Sequence, residues 1–123
     1  MELSLDRPED FLFVRRADAG AVTVVDRALT RSFILARDRA IEDWGVTDIA
    51  ALMPHQVEPI LALEPDVVLL GSGARQQFPS QAVLAEFLKR GVGVEVMDNA
   101  AAARTWNVLA GEHRNVVAAF ILM

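Results

Sequence analysis

The chain has 123 residues, of which 53% are hydrophobic and 24% are charged, and 17 acidic side chains against 12 lysines and arginines give a net charge of −5. A chain of this length can bury enough surface for one stable core, so we expect a single domain over residues 1–123. It has no cysteine, which excludes disulfides, thiolate catalysis and cysteine-ligated metal. The acidic balance argues against a nucleic-acid partner, which requires a basic face.

The first 45 residues predict short antiparallel strands. Residues 11–14 and 21–25 flank residues 17–20, where aspartate and glycine suit a tight reversal, so we expect a hairpin. Residues 32–36 predict a third short strand. The charged run 37–43 predicts a solvated loop.

From residue 66 onward the pattern changes to alternating strands and helices, which predicts an α/β sheet with the early hairpin packed against it or added to it. A weaker helix is expected over 55–63, with Pro59 in its first turn or kinking it. The remaining elements are strands over 66–70, 92–97 and 115–122 and helices over 81–90 and 99–110.

No apolar run approaches the roughly 20 residues that a membrane helix needs, so we expect no membrane insertion. The first six residues carry neither a basic region nor an apolar stretch, which predicts a cytoplasmic protein. The apolar segment 116–123 could lie at a sheet edge, and self-association through it is a further expectation.

The strands ending at Leu70 and Met97 are expected to be parallel, so the loops that follow them share one edge of the sheet. Gly71, Ser72 and Gly73 then face Asp98 in the crevice where open α/β sheets usually bind ligands. This edge is the predicted binding site.

The helix after Asp98 carries Arg104, with Asn107 nearly one turn further on. A guanidinium and an amide so placed could hold a carboxylate or a backbone carbonyl of a partner, and Thr105 adds a hydroxyl. The leading hypothesis is therefore a non-catalytic protein-binding module, with no metal and no cofactor.

Two alternatives stay open: a binding protein for an anionic metabolite, and a hydrolase that uses Ser72 or Thr105 with Asp98. Leu70 stands where a Gly-x-Ser-x-Gly elbow needs its first glycine. Gln76 likewise stands at the third glycine position of a dinucleotide fingerprint, so neither motif is complete.

Several segments together resemble the family that includes assembly factor 3 of mitochondrial respiratory complex I and an adipogenesis-associated homologue. The likeness spans about residues 44–120 and is carried by residues 65–73, 91–98, 102–109 and 112–114. It implies a single three-layer α/β domain with a mixed central sheet and an additional β layer, no established enzyme activity, and protein partners.

The resemblance also assigns the recurrent family positions, which fall on Gly71, Gly73, Met97, Asp98, Arg104, Thr105, Asn107, Glu112 and Arg114. Two positions depart from the family pattern. Ala103 stands where many relatives carry cysteine, and His113 replaces a common glycine. The missing presequence fits a bacterial member, and the identity of the partner is left open.

Overall fold

The computed structural model describes residues 10–112 and 114–123. The strands of this part are β1 (Val14–Ala17), β2 (Val22–Val24), β3 (Arg27–Leu29), β4 (Phe33–Leu35), β5 (Ala40–Ile41), β6 (Val67–Gly71), β7 (Gly93–Met97) and β8 (Val116–Phe120). The helices are α1 (Glu58–Leu61), α2 (Gln81–Lys89) and α3 (Asn99–Gly111), with short 3-10 turns at Ile49–Ala51 and Pro54–Val57.

The predicted N-terminal hairpin is present as β1 and β2, although β1 starts at the last residue of the strand predicted over 11–14. β3 extends the hairpin to a three-stranded antiparallel sheet. The Asp18 carboxylate closes the first reversal by accepting hydrogen bonds from the amides of Gly20 (2.8 Å) and Ala21 (2.9 Å). The second reversal was not predicted, because it places Val25, which is not a glycine, at a φ of 57°.

The expected third strand forms as β4, but it belongs to the second sheet, where it pairs antiparallel with β5 and β8. The charged run 37–43 is not wholly a solvated loop, because it contains β5, in which Ala40 is buried. Glu42 at the end of this run forms an ion pair with Arg27.

The second sheet has five strands in the order β5-β4-β8-β6-β7, and β6 runs parallel to both β7 and β8. The carboxyl ends of these three strands therefore lie at the same edge. The expectation that residues 116–123 form a sheet edge is wrong: β8 lies between β4 and β6, and all five of its residues are buried.

Each face of the five-stranded sheet has its own core cluster. On one face, α3 and the three-stranded sheet pack together around the fully buried Trp106, whose indole donates to the Leu12 carbonyl oxygen (2.8 Å). On the other face lie α1, α2 and the 3-10 turns. The predicted α/β fold with a mixed central sheet and an additional antiparallel β layer is confirmed.

Local signals set the helix ends near the predicted positions. Ser80 caps α2 by accepting from the Val83 amide (3.3 Å), and Asp98 caps α3 by accepting from the Ala101 amide (2.7 Å). The weaker helix is shorter than predicted: Pro59 lies in the first turn of α1, as expected, but residues 54–57 form a 3-10 turn and α1 itself has only four residues.

Candidate functional site

The two predicted loops meet at the carboxyl edge, which we define as residues 71–74 and 97–100. The Ser72 amide donates to the Met97 carbonyl oxygen (2.9 Å), and the Asn99 amide donates to the Gly73 carbonyl oxygen (2.9 Å). The structure thus brings Gly71, Ser72 and Gly73 together with Met97 and Asp98, because β6 and β7 are adjacent parallel strands.

A buried amide at the start of α3 fastens this edge. The side chain of Asn99 is inaccessible to solvent, and its Oδ1 accepts from the Gly73 amide (3.1 Å). Its Nδ2 donates to the carbonyl oxygens of Asp18 and Ile121, both at 3.1 Å. One side chain therefore joins the loop after β6, the β1–β2 reversal and the segment after β8.

Gly71 is a glycine for a steric reason. A Cβ at this position would lie 2.5 Å from Asn99 Oδ1 and 3.2 Å from Phe120 Cδ1. Gly73 has a φ of 108°, a backbone conformation that residues other than glycine rarely adopt, and there is open space where its Cβ would be. The two glycines thus let the loop turn and let the Asn99 amide approach the backbone.

Both hydroxyls of the hydrolase alternative are engaged with the backbone. Ser72 Oγ donates to the Arg75 carbonyl oxygen (2.7 Å) and accepts from the Gln77 amide (3.1 Å). Thr105 Oγ1 donates to the Ala101 carbonyl oxygen one turn earlier in α3 (2.9 Å). Among the described residues, neither hydroxyl is hydrogen-bonded to a carboxylate or an imidazole.

Asn107 and Arg104 lie on the same helix but have different surroundings. Asn107 holds β1 through a paired contact, in which Oδ1 accepts from the Val14 amide (2.9 Å) and Nδ2 donates to the Val14 carbonyl oxygen (2.8 Å). Arg104 is exposed, and its guanidinium makes no hydrogen bond or ion pair within the described residues. It lies on the outer face of α3 with Ala100 and Val108, beside the carboxyl edge.

Glu112 and Arg114 are not brought to this edge. Glu112 follows the last residue of α3, a 13-residue helix that spans about 20 Å, and Arg114 precedes β8. Both are exposed at the opposite end of the helix from Asp98. His113 lies outside the described residues.

Two depressions open at the carboxyl edge and share Gly73 and Ala74. One, of about 190 Å³, lies between the loop after β6 and residues 47–49, and a broader one of about 450 Å³ lies between the β1–β2 reversal and the start of α3. Depressions of similar size occur near Arg27 and Arg31, so volume alone does not distinguish this edge.

Two acidic residues, Asp18 and Asp98, line the broader depression. Hydrogen bonds from the Gly20 and Ala21 amides hold the pKa of Asp18 below its usual value, so this residue carries a negative charge near neutral pH. Within residues 10–112 and 114–123, no cluster of three or more histidine, cysteine or acidic side chains could hold a metal ion.

None of the helices in the described ranges is both long and apolar enough to cross a membrane.

Sequence reasoning named most residues of this edge but assigned no role to Asn99, the first residue of the predicted helix over 99–110. The available signal was an asparagine in the first turn of a helix, directly after the capping Asp98. An amide there suits contacts with backbone groups outside the helix.

Comparison with known proteins places this architecture in a wider group. A family model described as "Protein of unknown function (DUF498/DUF598)" matches residues 14–121. A protein from Xanthomonas campestris with a known NMR structure is 47% identical in sequence. The match covers 95% of this chain and 89% of that one, with a TM-score of 0.85.

Two curated relatives bear functional or cellular names. The chain is 38% identical over 84 residues to NADH dehydrogenase [ubiquinone] 1 alpha subcomplex assembly factor 3 of Danio rerio, matching 67% of this chain and 48% of that protein. It is 32% identical over 71 residues to the "13 kDa major membrane protein" of Francisella tularensis, matching 58% of each chain. The matched regions thus span about half of these two relatives.

Proposed function

Because the chain belongs to the DUF498/DUF598 family, one relative of which is named as an assembly factor, we propose that it is a non-catalytic protein-binding module. The family resemblance inferred from the sequence is confirmed by these relatives. The proposed binding surface is the carboxyl edge together with Arg104.

One observation carries this proposal: the exposed Arg104 guanidinium has no partner in the described part of the chain, while the polar groups beside it are engaged internally. A partner can therefore contact the Arg104 guanidinium without breaking a hydrogen bond or ion pair between described residues. Arginine is enriched among the residues that dominate protein interfaces, since its planar group pairs with carboxylates and carbonyl oxygens.

The two alternatives have less support. An anionic metabolite entering the broader depression would meet the carboxylates of Asp18 and Asp98, which repel it. A hydrolase would need Ser72 or Thr105 to exchange a backbone hydrogen bond for a catalytic base.

The experiment is quantitative mass spectrometry of proteins that co-purify with the chain from extract of its source cells. The test variant is Arg104→Glu, and the matched control is Arg39→Glu, an exposed arginine between β4 and β5 at the other end of the sheet. We expect Arg104→Glu to lose specific partners that Arg39→Glu retains, with both variants as stable as the native protein. The same partners at the same levels with both variants would contradict the proposal.

Thermal-shift screening with nucleotides and organic acids tests the metabolite alternative, because a ligand that binds only the native state raises the unfolding midpoint. The expected result for a protein-binding module is no shift with any of them. A saturable shift that disappears in a variant of the carboxyl edge would favour metabolite binding instead.

We further propose that the protein acts in the cytoplasm, as its sequence predicts, although one relative is named as a membrane protein. Fractionation of source cells, followed by immunoblotting, should place it in the cytoplasmic fraction. Recovery with washed membranes would contradict this.

A further inference from the structure

The antiparallel ladder between β4 and β5 ends early. The Ala36 amide donates to the Arg39 carbonyl oxygen (2.8 Å). Because hydrogen-bonded pairs recur at every second residue of an antiparallel ladder, the register of these strands would make Ser32 and Asp43 a further pair. Within the described residues, however, the backbone groups of Ser32 and Asp43 have no hydrogen-bond partner. The segment before β4 and the segment after β5 therefore separate at this point.

A groove lies between these two segments. It consists of two adjoining depressions of about 390 and 360 Å³, which share Thr30, Arg31, Glu42 and Asp43. Each volume is in the range of sites that hold small ligands. We call it the β4–β5 groove, and define it by its lining residues 27–32, 42–43, 45–47 and 122–123.

The walls of the β4–β5 groove carry backbone groups without partners. Residues 30–32 and 43–47 form no backbone hydrogen bond within the described part of the chain. Two of these residues, Ser32 and Val46, are buried, with 4% and 3% of their surface exposed. Buried backbone amides and carbonyl oxygens are nearly always hydrogen-bonded in native proteins. The groove therefore suits a ligand that offers backbone donors and acceptors of its own, as a peptide does.

Charged side chains of both signs line the same groove. Arg27 and Glu42 form an ion pair, so their charges compensate each other. Arg31 and Asp43 are exposed, and neither forms a hydrogen bond or an ion pair within residues 10–112 and 114–123. A simple anion would be repelled by Asp43, and a metal ion by Arg31. A peptide that carries one acidic and one basic side chain satisfies both residues.

We propose that the β4–β5 groove binds an extended peptide segment of a partner protein. The segment takes the position beside Ser32 that a continuation of β5 would occupy, and forms backbone hydrogen bonds there as an added strand does. It places an acidic side chain at Arg31, whose guanidinium pairs with carboxylates, and a basic side chain at Asp43. The groove shares no residue with the carboxyl edge, and the proposal does not depend on Arg104.

The probe is a display library of short random linear peptides, selected for binding to the native protein. Counter-selection against the double variant Arg31→Glu/Asp43→Lys removes peptides that bind elsewhere. We expect enriched peptides to share an acidic and a basic residue at fixed spacing, and to shift the NMR amide signals of residues 30–32 and 43–47. Failure to enrich any peptide would overturn the proposal, as would signals that shift only at the carboxyl edge.

Single charge reversals locate the contact. Arg31→Glu and Asp43→Lys should each weaken binding of an enriched peptide at least about tenfold, measured by fluorescence polarisation. The matched controls Arg39→Glu and Asp38→Lys reverse exposed charges in the turn between β4 and β5, at the other end of the ladder, and should leave the affinity unchanged. A peptide whose acidic residue is replaced by lysine should regain binding to Arg31→Glu. Equal affinity for the native protein and both groove variants would contradict the proposal.

A second copy of this chain is the other occupant that the test must distinguish. Sedimentation velocity without peptide should show no self-association that depends on Arg31. A dimer that Arg31→Glu disrupts and Arg39→Glu leaves intact would make a second copy the occupant of the groove and overturn the proposal.

Discussion

The two ends of α3 carry polar residues of similar kind in different circumstances. At its first turn, Asn99 is buried and bonded to three separate segments, and Asp98 caps the helix. At its last turn, Glu112 and the nearby Arg114 are exposed. Polar residues at one end hold the fold together, while those at the other can change with little structural cost.

The largest expected effect comes from removing the buried amide. Asn99→Ala leaves the Gly73 amide and the carbonyl oxygens of Asp18 and Ile121 without their partner, so the free energy of unfolding should fall by about 3–5 kcal/mol. Urea denaturation of the variant and the native protein measures this difference in the free energy of unfolding. The control Asn115→Ala removes an exposed asparagine that donates to Glu64 near the other end of α3 and should cost under about 1 kcal/mol. Equal losses in the two variants would remove the contrast between the helix ends.

A methyl group at the carboxyl edge should have the next largest effect. Gly71→Ala drives a Cβ against Asn99 Oδ1 and should cost about 2–3 kcal/mol. Gly93→Ala places the same group in β7, where its nearest neighbours are 3.8 and 3.9 Å away, and should be neutral or slightly stabilising. Thermal unfolding at low protein concentration compares them. A Gly71→Ala variant as stable as the native protein would show that the carboxyl edge accommodates the added methyl group at little cost in free energy.

Two residues in the middle of α3 are expected to have different roles, Asn107 in stability and Arg104 in binding. Asn107→Ala should cost about 1–3 kcal/mol and speed hydrogen exchange of the Val14 amide, because it removes the paired contact to β1. Arg104→Ala should change stability by less than about 0.5 kcal/mol, since the side chain is exposed. Denaturation and exchange on both variants check this. A destabilised Arg104→Ala would mean that this arginine has a structural role.

The smallest expected effect is on the stability of the protein at acidic pH. Because two amides stabilise the ionised form of Asp18, its contribution to stability is present above the pKa of the unfolded chain and is lost as the pH falls through the lower folded pKa. An NMR titration of its carboxyl carbon should give a pKa below that of aspartate in an unstructured peptide. Asp18→Ala should flatten the acid limb of stability slightly, and an unshifted titration would contradict the reversal geometry.

Sequence patterns predicted the elements whose causes are local. The caps Ser80 and Asp98 bond within three residues of themselves, and both fixed a helix start correctly. The place of β4 depends on its pairing with β8, more than 80 residues away, which local patterns do not encode. The same holds for β8, whose apolar residues suit an edge or the centre of a sheet.

The candidate site shows the same limit. The loops at Gly71–Gly73 and Asp98 could be placed together because parallel strands share their carboxyl edge. The hydrogen bonds of the Asn99 side chain join it to residues that are separated from it in sequence by 81, 26 and 22 positions. Its role could therefore not be derived from helical spacing. Helical spacing also grouped Asn107 with Arg104 as binding residues. In the structure the Asn107 amide is hydrogen-bonded to β1, whereas the Arg104 guanidinium is exposed.

Site-specific photo-cross-linking in source cells tests the central claim most directly. A photoreactive residue is placed in turn at position 104, beside the carboxyl edge, and at position 114, at the far end of α3. We predict defined protein adducts from position 104 and none above background from position 114. Adducts that form at position 114 and are absent at position 104 would contradict the account.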